Sequence, residues 1–191
     1  MKYTETKKRI YKRAQLPVKI VQFGEGNFLR GFVGHAIQEL NQKTDFEGGI
    51  AVIQPLPSGQ IETLEEQGGG YTLFLNGWSH NREIDETIII DNIVKTCNPY
   101  TQFGEFLEIA KIPTLAFILS NTTEAGIQYE EGDRFEDTPQ KNFPAKLTRF
   151  LWERFQHYTG DPNMGLVEPF FLWVIEGDEN SNANCLFKTL R

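Results

Sequence analysis

Seven residues carry the first chemical signal in this chain: Gly24-Glu25-Gly26-Asn27-Phe28-Leu29-Arg30, placed directly after the apolar run Val18 to Phe23. A β-branched run closed by Gly and followed by a helical pattern creates a helix N-terminus, whose unpaired N–H groups and positive dipole end attract phosphate. Gly24 would permit the tight turn out of the strand. Gly26 would leave room for a pyrophosphate where any Cβ would intrude. The dinucleotide fingerprint G-x-G-x-x-G asks for a third Gly, and Leu29 stands in its place. Glu25 is repulsive to phosphate unless it points to solvent, whereas Arg30, about one turn in, can supply a compensating charge. Spacing alone leaves two readings open: a dinucleotide loop, or a plain strand-to-helix turn that binds nothing.

Other residue types capable of chemistry carry less. His35, His80 and His157 lack metal-ligand spacing, and His35 reads as a core-edge residue. Glu130-Glu131-Gly132-Asp133, with Glu136-Asp137 beyond, lacks the spacing of a calcium loop and reads as solvated surface. No metal site is expected. Lys146 and Arg149 could hold a substrate carboxylate, but their ordinary role is to face solvent. Cys97 and Cys185 form no C-x-x-C pattern and read as reduced thiols.

The elements that must position the loop follow from apolar periodicity. Val18 to Phe23 is a buried strand, and Phe28, Leu29, Phe32, Val33, Ala36, Ile37 and Leu40 form one continuous helical stripe. Gly48-Gly49 leads into a second apolar run, Ile50 to Ile53, ended by Gln54-Pro55. Strand, helix and strand within about 35 residues make a right-handed βαβ unit and imply a parallel sheet. Gln54 closes the second strand, where an acidic residue would meet the ribose of NAD or an Arg the 2′-phosphate of NADP, so spacing leaves that choice open. Tyr71 to Leu75 and Ile84 to Ile93 read as strands, with Asn76-Gly77 as the turn between them. Phe103 to Ala110 reads as a short helix, and Leu115 to Leu119 as a buried strand. Asn121 and Glu124 have the spacing of a capping box, and Pro144 opens a helix bearing Leu147, Phe150, Leu151, Phe155 and Tyr158. Trp152, Trp173, Phe170 and Phe171 read as core.

The 191 residues carry a net charge of −7, with six basic side chains concentrated in residues 1–13. An acidic body of this kind argues against a broad nucleic-acid surface. The longest apolar run, Phe170 to Ile175, is far short of the roughly 20 residues a membrane span needs, and no secretory signal is expected. A cytoplasmic location is expected.

The segments VQFGEGNFLRGF, QPLP, SNTTEAGI and PAKLTRFLWERF together resemble the tagaturonate reductase (altronate oxidoreductase) family, within the mannitol dehydrogenase group of long-chain polyol dehydrogenases. The likeness spans roughly residues 17–165. It implies an α/β fold, a variant Rossmann-like NAD-binding domain with a mostly parallel sheet, followed in the family by a helical C-terminal domain. It also implies NAD-dependent hydride transfer on a small hexuronate-type substrate, interconverting tagaturonate and altronate in hexuronate catabolism. By the same resemblance Val21, Gln22, Phe23, Gly24, Glu25, Gly26, Asn27, Phe28, Leu29 and Arg30 make the NAD phosphate loop, with Phe28 and Arg30 replacing the third Gly. Asn121 and Thr122 border the nicotinamide half.

The chain departs from the family in one respect. The general acid/base lysine of these enzymes, with its companion asparagine and histidine, belongs to a second-domain region that nothing here matches, so no catalytic residue is assigned. After Gly165 the sequence passes directly to Val167 to Gly177, which resembles a segment found much later in the family. The chain therefore reads as internally shortened near residue 165 and cut off after Arg191, without the helical domain. The expected organisation is a cofactor domain over residues 1–165 and an incomplete tail over 166–191, in which Phe170 to Ile175 would be an exposed β-prone stretch. The expected function is a reductase of this type, inactive as this polypeptide alone. The alternatives are an NAD-binding module without chemistry and an assembly piece that uses no cofactor.

Overall fold

A computed structural model describes residues 11–79, 81–128 and 130–157 and the backbone of residues 171–174. Five strands form one sheet: β1 (Val18–Phe23), β2 (Gly49–Ile53), β5 (Ile93–Cys97), β6 (Phe117–Ser120) and β7 (Phe171–Val174). Their order is β5-β2-β1-β6-β7, and every neighbouring pair is parallel. A separate antiparallel hairpin is made of β3 (Tyr71–Ser79) and β4 (Arg82–Ile90). β7 falls in the stretch read from sequence as a tail. The rest of residues 166–191 lies outside the described residues, as do Tyr158, His80, residues 1–10 and the side chains of Phe171 and Trp173.

The apolar runs are continuous because helices cover both faces of the sheet. On one face Val21, Phe23, Ala51 and Ile53 pack against α3 (Phe103–Ala110) and α4 (Phe143–His157) through Phe106, Ile109, Phe143, Leu147 and Phe150. Phe23 meets Phe106, Phe143 and Phe150 edge-on at centroid distances of 6.3, 5.4 and 5.7 Å. Burying a side chain of this size contributes about 1.5–3 kcal/mol. On the other face Ile20, Ile50 and Val52 pack against Leu29, Val33 and the short helix α2 (Ile61–Glu66).

Several sequence expectations are corrected. The stripe from Phe28 to Leu40 is not one regular α-helix: Leu29–Gly34 is a π-helical segment that runs into α1 (His35–Lys43). The wider π turn rotates Phe28 and Phe32 outward, where they stack at 5.6 Å and are 43% and 61% exposed. Asn76 and Gly77 lie inside β3, opposite Asp85 and Ile84. The hairpin turns instead after Ser79, with Asn81 in the left-handed region at φ 59°. The segment after β6 is a 3₁₀ turn (Glu124–Ile127) whose N-cap is Thr123, without a side-chain capping bond, rather than Asn121. Trp152 and Phe155 are exposed, because they lie on the face of α4 turned away from Phe143, Leu147 and Phe150. β5 and α2 had no strong sequence signal.

Candidate functional site

The sheet winds outward in both directions from β1: β2 and β5 lie on one side, β6 and β7 on the other. This is a topological switch point, where ligands of open α/β sheets bind outside the carboxyl ends of the strands. Phe23 and Ser120 are register partners across β1 and β6. The two segments singled out from sequence, Gly24 to Arg30 and Asn121-Thr122, therefore leave adjacent strands side by side.

The loop is built from β1 upward. Val21 and Phe23 are buried in the core and carry the loop from below, while the buried Gln22 donates its Nε2 to the Gly24 carbonyl at 2.7 Å. The Gly24 N–H still bonds to the Ile53 carbonyl of β2 at 2.9 Å. Its φ of +119° then turns the chain sharply, a conformation that L side chains rarely adopt. At Gly26 no described atom lies within 4 Å of the position a Cβ would take. Nothing in the protein itself demands glycine there, as is also true of Gly77 and Gly104, so the position is open to an approaching ligand. Helical structure begins at Asn27, and the Arg30 N–H already bonds to the Gly26 carbonyl at 3.2 Å, so the N–H groups before Arg30 are those that can meet an anion.

Leu29 fills the place of the third Gly. It is buried, and its Cδ1 would lie 3.4 Å from a Cβ on Gly24. The π-helical turn supplies the extra width that the leucine needs between helix and strand. The buried substitute is thus Leu29 itself, while Phe28 is exposed.

Arg30 and Glu25 both turn toward the loop after β2. Arg30 Nη2 donates to Asn27 Oδ1 at 2.5 Å and to Gln60 Oε1 at 3.3 Å, and its guanidinium lies 5.7 Å from the Tyr71 ring centroid. The Tyr71 hydroxyl donates to the Arg30 carbonyl at 2.6 Å, and burial pushes that hydroxyl's pKa upward, so it remains a donor. Glu25 Oε1 accepts the Gln60 N–H at 3.2 Å. Gln54 is buried and donates Nε2 to the carbonyls of Leu56 and Pro57 at 2.9 and 3.4 Å. Three atoms around this corner, Glu25 Oε2, Arg30 Nε and Gln54 Oε1, are buried with no partner among the described residues. Unmet acceptors and a donor beside an open glycine fit a polar ligand such as a dinucleotide. On the β6 side the buried Ser120 hydroxyl bonds to that of Thr122, and Asn121 and Thr122 are half-buried.

Sequence reasoning missed the Glu25–Gln60, Arg30–Gln60 and Tyr71–Arg30 contacts, which join residues 30 to 41 positions apart and leave no local pattern. It also misjudged Lys146, which is fully buried rather than facing solvent. Its Nζ donates to the carbonyls of Lys141 at 2.6 Å and Asn142 at 3.3 Å and lies 5.1 Å from the Tyr100 ring centroid. Burial lowers its pKa to about 8. Arg149 likewise does not face solvent: it is largely buried, paired with Glu153 at 2.8 Å, with its guanidinium 4.7 Å from the Phe135 ring centroid. Asp133, from the acidic cluster, accepts the N–H groups of Lys141 and Asn142 and so shapes its own loop. Among the described residues no group of three or more His, Cys, Asp or Glu converges as a metal site, and no helix is long and apolar enough to cross a membrane.

Comparison with known proteins agrees with this architecture. Altronate oxidoreductase of Bacillus subtilis (strain 168) is 50% identical over 153 residues, covering 80% of this chain and 32% of that protein. The corresponding protein of Bacteroides thetaiotaomicron is 42% identical over 155 residues, covering 81% of this chain and 32% of that one. The chain thus spans about a third of the length of the curated relatives it matches. In fold it resembles Pseudomonas fluorescens mannitol 2-dehydrogenase, solved as a ternary complex with NAD and D-mannitol, with a TM-score of 0.62 at 16% identity over 79% of this chain and 34% of that one. A D-sorbitol dehydrogenase in substrate-free form matches with a TM-score of 0.66 at 16% identity, over 92% of this chain and 37% of that one. Residues 18–166 match the family model described as the mannitol dehydrogenase Rossmann domain, and the chain belongs to that family.

Proposed function

We infer that residues 1–165 form the NAD-binding domain of a reductase of the altronate oxidoreductase type. The observation that carries this reading is the pairing of Gly24, at φ +119°, with an unobstructed Gly26 at the β1/β6 switch point. The name shared by the two relatives, at 50% and 42% identity, supports the substrate class. NADH, when bound, supplies a hydride to a hexuronate-derived keto acid, and NAD accepts one in the reverse direction.

The chain's own residues bind and orient. Backbone N–H groups between Gly24 and Arg30, whose own N–H groups bond to the Ile53 and Gly26 carbonyls, hold the pyrophosphate, the Arg30 guanidinium balances its charge, and Val21, Gln22 and Phe23 fix the loop. Asn121 and Thr122 border the nicotinamide half. We place the protein in the cytoplasm, acting in hexuronate catabolism, in keeping with the free thiol of Cys97. The proton for the substrate oxygen is assigned to no residue of this chain. As a 191-residue polypeptide, spanning about a third of its relatives, it binds NADH without turning over tagaturonate.

Thermal melting with and without NADH tests the reading. A ligand that binds only the native state adds about 2.7 kcal/mol at 100 times its dissociation constant. A melting temperature unmoved by millimolar NADH overturns cofactor binding, and steady NADH consumption with tagaturonate overturns the inactivity of this polypeptide.

A further inference from the structure

We propose that Glu25 selects the cofactor: its carboxylate stands at the adenosine-ribose corner and excludes a 2′-phosphate, so the site takes NADH and refuses NADPH. This inference rests on the dinucleotide reading above. In dinucleotide-binding α/β sheets the acidic residue that meets the ribose normally ends the second strand. Here that strand ends in the neutral Gln54. The charge arrives from a different element.

Glu25 belongs to the phosphate loop, yet its side chain folds toward the end of β2, where Oε1 accepts the Gln60 N–H at 3.2 Å. A Cβ on Gly59 would overlap both Glu25 Oε1 and Gln54 Oε1. The two side chains therefore converge on one point, and glycine at position 59 is what lets them. What they present there is acceptors alone: Gln54 has committed its Nε2 to the Leu56 and Pro57 carbonyls, and both Gln54 Oε1 and Glu25 Oε2 are buried without a described partner. A ribose diol donates hydrogen bonds and satisfies such a corner. A phosphate dianion has nothing to donate and meets a like charge in a poorly hydrated place.

Arg30 is the cation that could reverse this preference. Its Nη2 is engaged by Asn27 and Gln60 and its guanidinium lies against Tyr71, while its Nε is buried without a described partner. Gln60 thus bonds to Arg30 through its side chain and to Glu25 through its N–H, and Asn27 ties the guanidinium to the phosphate loop.

The test is calorimetric titration of the 191-residue protein with NADH and with NADPH, repeated on Glu25→Gln and Glu25→Ser. Glu25→Gln keeps an oxygen for the Gln60 N–H and removes the charge. Glu25→Ser serves if that variant melts early. The expected wild-type preference for NADH is roughly thirtyfold or more, falling about tenfold or more in the variants, because two like charges a few ångström apart interact by that order in a half-buried site. A wild-type ratio near one, a preference for NADPH, or a ratio unchanged in folded variants overturns the proposal. If neither dinucleotide binds, the dinucleotide reading falls first and this inference falls with it.

Discussion

Phe23 and Ser120 face each other in register across β1 and β6, and the chain leaves them toward opposite faces of the sheet. After Phe23 it enters the π-helical segment that packs with Ile20, Ile50 and Val52 through Leu29. After Ser120 it reaches α4, which packs with Phe23 on the other face through Phe143 and Phe150. In open α/β sheets such a divergence is where ligands bind, outside the carboxyl ends of the strands.

The two glycines of the loop separate fold from ligand access. Gly24→Ala forces a side chain into φ +119°, with Leu29 Cδ1 only 3.4 Å from the new Cβ. Strain of this kind costs about 1–3 kcal/mol, so the melting temperature should fall. The Cβ of Gly26→Val meets nothing within 4 Å. The melting temperature of this variant should stay close to the wild type while NADH affinity drops roughly tenfold or more, since the branched side chain projects where phosphate would come. Parallel melting and titration of both variants checks the contrast, and equal loss of stability in the two would refute it.

Gly34 and Tyr71 should be strongly coupled. A Cβ on Gly34 would overlap the Tyr71 hydroxyl and come within 3.4 Å of its Cζ and 3.7 Å of Ile90. The hydroxyl cannot simply move aside, because it donates to the Arg30 carbonyl at 2.6 Å. Gly34→Ala should cost about 1–3 kcal/mol through overpacking. Tyr71→Phe should cost about 1 kcal/mol for the lost hydrogen bond. The double variant should be more stable than their sum predicts, and a double-mutant cycle from urea melts measures the coupling.

The parts of this fold legible in sequence are those set by local pattern. Ile50 to Ile53 is apolar without alternation because both sheet faces are covered, and Val18 to Phe23 is dominated by β-branched and aromatic residues around isolated Lys19 and Gln22, which marks both as strands. Ile93–Cys97 has the same role in the sheet but interposes Lys95 and Thr96, both half-buried at its outer edge, which hides it. Asn76-Gly77 reads as a turn because its residue types favour one. The tertiary pairing of Asn76 with Asp85 overrides that preference. In the site, Gly24 and Gly26 announce themselves, whereas the approach of Glu25 to Gln60 depends on how two loops fold over the sheet and has no sequence period to reveal it.

Lys146 makes the stability of the fold depend on alkaline pH in a calculable direction. Its folded pKa is lowered from 10.5 to about 8, chiefly because burial disfavours the charged form, with Asp133 opposing. Between those values the unfolded chain holds a proton that the folded chain has released, so stability should rise with pH. Below about 8 both states are protonated and the burial cost is fully present. Lys146→Met should abolish this contribution. The measurement is the difference between wild-type and variant unfolding free energies from pH 7 to 11, which cancels the other lysines and tyrosines. A difference that does not change with pH would show that the ammonium is hydrated in the native state.

Cys97 should behave as a buried reporter of opening rather than as a reactive thiol. It is fully buried at the end of β5, its Sγ donates weakly to the Gln102 carbonyl at 3.8 Å, and burial with the nearby Glu105 charge pushes its pKa up to about 12. The thiolate is the nucleophile, so at pH 8 the native protein should leave Cys97 unmodified by iodoacetamide while urea-unfolded chain reacts fully. Slow native labelling then follows transient opening of the β5 edge, and its rate reports the free energy of that opening. NADH should slow it further if the cofactor binds the closed form, because a ligand held by the native state lowers the population of every open one. Mass spectrometry of the peptide containing Cys97 reads this directly, and rapid labelling of the folded protein at pH 8 would mean that the end of β5 is open to solvent.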